Sequence, residues 1–233
     1  MKLTTEEIIY PSSDGQPMAD STIQYQWITT IKGGCDALFK DNSNVFIAGD
    51  LLWYPVEGSN TICQAPDVMV VFGRPKGDRR SYLQWKENNI PPQVVFEILS
   101  YSDSQTKMNK KLAFYNRYGV DEYYLYDPDK KELSGWQRIE GLLDVIEPTS
   151  GWVSPRLGVR FELTDEGLEL YRPDGQKFLS YLELEQQRVL ATQRAEQATQ
   201  RAEQEAQRAE QEAQRAERLG AKLRELNIDP DNI

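Results

Sequence analysis

Histidine is missing altogether from the 233 residues. Its absence removes Ser-His-Asp and Cys-His catalysis, the helix-borne HExxH zinc motif and any imidazole general base. Cysteine is almost as scarce. Cys35 and Cys63 are the only two, too few for a disulfide framework or a four-cysteine zinc site. No window approaches the roughly 18 consecutive apolar residues of a membrane span. The opening MKLTTEEIIY holds no hydrophobic core of a secretion signal, so a cytoplasmic protein without membrane partners is expected. Positive charge is also in deficit, with 27 Lys and Arg against 37 Asp and Glu, a net charge of −10 and a pI near 4.7. Phosphate binding rests on Lys and Arg, so composition lends a nucleic-acid partner no support. Any such role has to come from a local site built from carboxylates, lysine, tyrosine or a metal.

What is present suits a soluble globular chain: 39% hydrophobic residues and a mean hydropathy of −0.65. The length allows one full-sized domain with an appendage. The appendage is legible in its lack of Gly and Pro from Phe178 to Gly220, where Ala, Glu, Gln and Arg take over. Seven-residue units recur there as AEQATQR, AEQEAQR, AEQEAQR and AERLGAK, placing Ala195, Ala202, Ala209 and Ala216 at one heptad position. These are strong helix formers, and a helix over 178–226 would run about 70 Å at 1.5 Å per residue. Two readings stand. One is a charged, solvated single helix; the other is a weak coiled coil joining protomers, strengthened by Leu219, Leu223 and Leu226. The division expected is 1–180 for the main domain and 181–233 for the helical tail, with a homodimer as the assembly.

Residues 1–180 alternate between the two periodicities of a mixed α/β fold. Asp20-Ser21 offers an N-cap for IQYQWITTIKGGCDALF, although Gly33-Gly34 weakens the middle of that helix. VFIAG, LLWYP, DVMVVFG and QVVFEIL follow as β-rich runs, the last two nearly continuous in apolar residues, as strands buried on both faces are. The polar stretch GRPKGDRRSYLQWKENNIPP between them reads as a loop. After Ser104 the period becomes helical, with Met108, Leu112 and Tyr115 on one face and Gly119 placed as the C-cap glycine. EYYLYD is another strand. ELSGWQRI, LLDVIE, RLGVRFEL and LELY read as antiparallel strands around the tryptophans.

Three residues in this layout bear on chemistry. Asp67 opens one apolar strand, Glu97 lies inside the next, and Lys111 stands on the helix that follows. A carboxylate in a buried strand is costly unless it is paired, hydrogen-bonded or bound to a metal. Two of them on neighbouring strands form an oxygen site suited to magnesium, which keeps several waters and completes its shell with substrate phosphate. A lysine nearby could orient or deprotonate an attacking water, or stabilise charge on phosphoryl oxygens. Asp50, in AGDLLWYP, is either a further acidic ligand or a strand-edge turn residue. Arg74, Lys76, Arg79 and Arg80 either grip a phosphate backbone or form a solvated loop. GRPKGDRR lacks the GxxxxGK[ST] order and is no P-loop.

Together, APDVMVVFG, VVFEILS and KLAFYNRYGVDEYYLYDPD resemble the Uma-two-type restriction endonuclease domain, a branch of the PD-(D/E)XK nuclease superfamily, over about residues 22–171. The resemblance implies an α/β fold with a mixed central sheet and flanking helices, and Mg2+-dependent phosphodiester hydrolysis in DNA, with Mn2+ as a substitute. It places Asp67 as the PD aspartate, Glu97 as the second metal carboxylate and Lys111 as the lysine, supplied from the helix because Leu99 holds the usual position. Tyr115 and GVDEYYLYD match its structural signature. Members of this group usually carry an acid four residues before the helix lysine, where this chain has Lys107. The rival expectation is therefore a weakened or inactive nuclease-fold scaffold that interacts through its tail. A lysine pair at i, i+4 also repels, which in a dry site would lower a lysine pKa.

Overall fold

In a computed structural model, residues 8–225 are described. The chain divides after Ser180 into two units. The first begins with helix α1 (Thr22–Leu38). Ser21 is its N-cap, accepting from the Gln24 amide through its hydroxyl.

A six-stranded mixed sheet carries the first unit. Its strands are β1 (Val45–Gly49), β3 (Val68–Phe72), β5 (Val94–Ile98), β6 (Glu122–Asp127), β7 (Glu132–Ile139) and β8 (Leu142–Val145), hydrogen-bonded in that order. Between these in sequence lie β2 (Trp53–Tyr54) and β4 (Tyr82–Leu83), a two-residue parallel pair. Only β5 and β6 are parallel within the main sheet, and helix α2 (Gln105–Arg117) makes the crossover between them. Ser104 caps α2 at its start, and Gly119, at φ +88°, follows its end. β9 (Arg160–Thr164) and β10 (Gly167–Tyr171) form a separate hairpin.

Strand alternation sends neighbouring residues to opposite faces, and each face has its own core. Val68, Val70, Val94, Phe96 and Ile98 pack with Ile28 and Ile31 of α1 and with Phe161 and Leu170 of the hairpin. Met69, Val71 and Val95 pack on the other side with Trp53, Tyr82, Tyr115 of α2 and Tyr123. Burial on both faces explains the unbroken apolar runs of β3 and β5. By the same alternation Asp67 and Glu97 belong to the α2 face.

Two expectations change. The stretch 73–92 is more than a loop, since Tyr82 is fully buried and joins the Trp53 strand through its backbone. The tail helix α3 starts at Tyr181, because Phe178 belongs to the α1-side core and is 3% exposed. Its ring lies against Gly34, where an added Cβ would stand 2.1 Å from it. The glycine at position 34 thus makes room for Phe178 within an unbroken helix. In the second unit α3 runs from Tyr181 to Glu225, 45 residues with none buried, about 68 Å at 1.5 Å per residue. Leu226 of the expected leucine set lies outside the described residues.

Candidate active site

The register that pairs Val68 with Phe96 brings Asp67 and Glu97, one residue further along each strand, opposite one another. Asp67 Oδ2 accepts from the backbone N–H of Ile98 at 2.6 Å. Glu97 is 2% exposed, and both of its oxygens are engaged. Lys111 Nζ donates to Oε2 at 2.6 Å, and the buried Tyr115 hydroxyl donates to Oε1. Lys111 and Tyr115 stand four residues apart on α2, and that spacing aims both at the same carboxylate.

Charge in this region is unbalanced. Burial and the charge of Glu97 push the Asp67 carboxyl well above the usual aspartate range, and Lys111 only partly offsets them. Burial also raises Asp50, with the charges of Asp14 and Glu97 adding to it. Burial alone would lower Lys111, but Glu97 and Asp67 outweigh it and the net shift is upward. The expected lowering through Lys107 is therefore overturned: the nearest charges are carboxylates, and Lys111 stays a fixed cation. Lys107 turns back one helical turn instead and pairs with Asp103 at 2.5 Å.

A cleft of about 280 Å³ opens over this cluster, lined by Asp14, Asp20, Asp50, Asp67, Asp103 and Lys111 among others. Asp50 is held there by a left-handed backbone turn, φ 48°, a conformation Asp tolerates better than most residues. Its amide donates to the Pro66 and Asp67 carbonyls at 3.1 and 3.3 Å. Asp103 was not singled out from sequence. Its carboxylate is 5% exposed, pairs with Lys107, and accepts from the Ser100 amide at 2.9 Å. Asp20 accepts from the Ser100 and Ser102 hydroxyls, tying the start of α1 to the turn before α2. The D-x-x-x-K spacing of Asp103 and Lys107 was the available signal.

The donors fit a hard divalent cation in kind: they are carboxylate oxygens with an excess of negative charge, and no sulfur or imidazole stands among them. In number they are few. Among the described residues no three His, Cys, Asp or Glu side chains lie close enough together to hold an ion. Asp50 lines the cleft without completing such a trio. The basic loop divides as well: Arg74 and Arg79 each reach Glu87 at 2.7 Å, and Lys76 donates to the Phe39 carbonyl. These three hold the loop, while Arg80 is exposed.

No curated protein matches the chain. A crystal structure from Anabaena variabilis, described as "a putative nuclease belonging to DUF820", is similar at 19% identity and a TM-score of 0.46, over 60% of this chain and 76% of that one. The family model Uma2, described as "Putative restriction endonuclease", matches residues 28–166, well over half the chain, and spans the sheet, α2 and every residue of the carboxylate–lysine cluster. With its mixed sheet, flanking helices and long C-terminal helix, the chain belongs to the Uma2 restriction endonuclease family.

Proposed function

We propose that the protein is a Mg2+-dependent endonuclease that hydrolyses phosphodiester bonds, with DNA as substrate. One observation carries the reading: in a chain of this family, Asp67 and Glu97 stand opposite one another on neighbouring strands with Lys111 bonded to Glu97. Asp67 and Glu97 would hold the cation, leaving the rest of its shell to water and substrate phosphate. Bound there, the metal would supply Lewis-acid polarisation of the phosphoryl group and a water of lowered pKa. Lys111 remains protonated and serves as a charge aimed at phosphoryl oxygens, since its raised pKa suits it poorly to act as a base. Tyr115 orients Glu97 from inside the core.

A second reading is favoured by the same contacts. Lys111 and Tyr115 occupy both oxygens of Glu97, as they would in a nuclease-fold scaffold that no longer binds metal. Calorimetric titration with Mg2+ and Mn2+ separates the two. The nuclease reading expects saturable binding that Glu97→Gln removes, together with metal-dependent cleavage of a labelled DNA. Absence of both from the folded wild type would leave the scaffold reading.

The tail is proposed as an appendage to a domain of residues 1–180. Removal from Arg188 onward should leave a folded domain with unchanged metal binding, because every residue of the cluster lies upstream. A homodimer held mainly by that domain would persist in sedimentation after truncation, whereas a monomer would make the tail the principal joint.

A further inference from the structure

A second concavity, of about 360 Å³, lies between α2 and the segment 61–63. That volume is in the range of small-molecule and cofactor sites, roughly 300–1,000 Å³. Its floor is aromatic: Phe114 and Tyr118 stand 4.6 Å apart and pack edge-on against the buried Trp53 at 5.4 and 6.3 Å. Its charged groups are Lys110 and Arg117, both exposed. Among the described residues neither has a hydrogen-bond or ion-pair partner. The other two basic residues of α2 differ, since Lys107 and Lys111 are each paired with a carboxylate.

The concavity and the candidate active site share their walls. Thr61, Ile62 and Cys63 line the first, and Gln64, Ala65 and Asp67 of the same segment line the second. Helix α2 gives Lys107 and Lys111 to the cleft and, with its C-cap Tyr118, Lys110, Phe114 and Arg117 to the concavity. Consecutive helical residues diverge by about 100°, so Lys110 and Lys111 open onto adjoining sides of one helix. Lys110 and Arg117, seven residues apart, are separated by about 10 Å along the axis.

We infer that this concavity is a substrate subsite, where Lys110 and Arg117 grip phosphates to one side of the bond positioned at Asp67, Glu97 and Lys111. The apolar floor receives the sugar and base edge between those phosphates. The assignment rests on the nuclease reading above and adds where the strand lies. It also answers the charge problem posed by an acidic cleft: two cations beside the carboxylates supply the attraction that the cleft lacks.

Steady-state cleavage of a labelled DNA oligonucleotide by the full chain in Mg2+ tests it, together with anisotropy binding of the same DNA in Ca2+ at several salt concentrations. Lys110→Gln/Arg117→Gln should raise KM at least tenfold while kcat falls less than threefold. The slope of log K against log salt should shrink by about 1.4–1.8, since each phosphate contact contributes about 0.7–0.9. Lys110→Arg/Arg117→Lys should restore both, and Lys40→Gln, exposed just after α1, should move neither. If the wild type cleaves and the double glutamine variant keeps its KM and salt slope, the subsite is overturned and the nuclease reading stands. A wild type that neither cleaves nor binds DNA overturns both.

Discussion

Glu97 and Glu122 stand on adjacent parallel strands, 2% and 1% exposed, and they face opposite sides of the sheet. Their surroundings differ in kind. Glu122 receives neutral donors: the Tyr124 hydroxyl at 2.9 Å, the Arg156 amide at 2.8 Å and the fully buried Ser154 hydroxyl. Ser154 also accepts from the Leu157 amide, so the carboxylate pins the 154–157 turn onto β6. Glu97 receives a cation, has a second carboxylate beside it, and lies behind the cleft that Asp67 and Lys111 line. A buried carboxylate met by fixed neutral donors is a structural fastener. One that shares excess negative charge with a neighbour and is met by a cation at the wall of a cleft has the surroundings that the proposed metal site calls for.

The sharpest break between the two should come in catalysis. Glu97→Gln is expected to cut metal-dependent cleavage by at least about 100-fold, the equivalent of losing several kcal/mol of metal assistance. Folded Glu122→Gln should cleave within a few-fold of wild type. Equal losses in both would erase the functional distinction.

Next in size is Lys111→Met, which leaves Glu97 and Asp67 without their cation. Removing one partner of a buried pair costs about 3–5 kcal/mol, and thermal melts should show it. Added Mg2+ should raise the melting temperature of this variant more than that of wild type, because the ion replaces the missing charge.

Glu122→Gln should lower stability by about 1–3 kcal/mol, since an amide cannot accept from all three donors. Burial raises the Glu122 carboxyl above its ordinary value of 4.5. A raised folded-state pKa gives stability that is complete below the unfolded value and is lost as pH climbs through the folded one. The gap between wild type and variant should therefore widen as pH falls from 7 toward 4.5, measured by urea midpoints.

The smallest effect expected is that of Lys107→Glu. It places negative charge at the mouth of the Glu97 side and should tighten Mg2+ binding by a few-fold in calorimetry. The Glu122 fastener, on the other face, should be indifferent: the stability gap between Glu122 and Glu122→Gln in that pH window should be the same with either residue at 107.

Much of this contrast could be read from sequence on one side only. Glu97 is conspicuous because FEI interrupts an apolar run and Asp67 because it opens the strand before, whereas only the family resemblance singles out Lys111 from Lys107 and Lys110. Their convergence in the fold rests on register and on the four-residue step from Lys111 to Tyr115, both regular periodicities. Glu122 passed unnoticed because VDEYY reads as a solvated strand entry, and its partners arrive 32 and 34 residues later. Asp103 was hidden in a polar turn whose ordinary reading is helix capping. Tyr82–Leu83, the partner of the expected Trp53 strand, is two residues long and leaves no periodicity to detect. Long-range partners and very short elements are what pattern reading misses.

The notch at Gly34 has a consequence for modularity. A helix interior accepts glycine at a cost of about 1 kcal/mol relative to alanine, and here the missing Cβ is what lets the Phe178 ring lie flush against α1. The polypeptide therefore leaves the sheet-bearing unit from a fixed post, three residues before α3 begins. Whatever follows Ser180 inherits that launch point without altering the strands or α2. A different C-terminal segment, or none, could be grafted there while the carboxylate–lysine cluster keeps its shape, which makes the junction a natural site for exchanging tails.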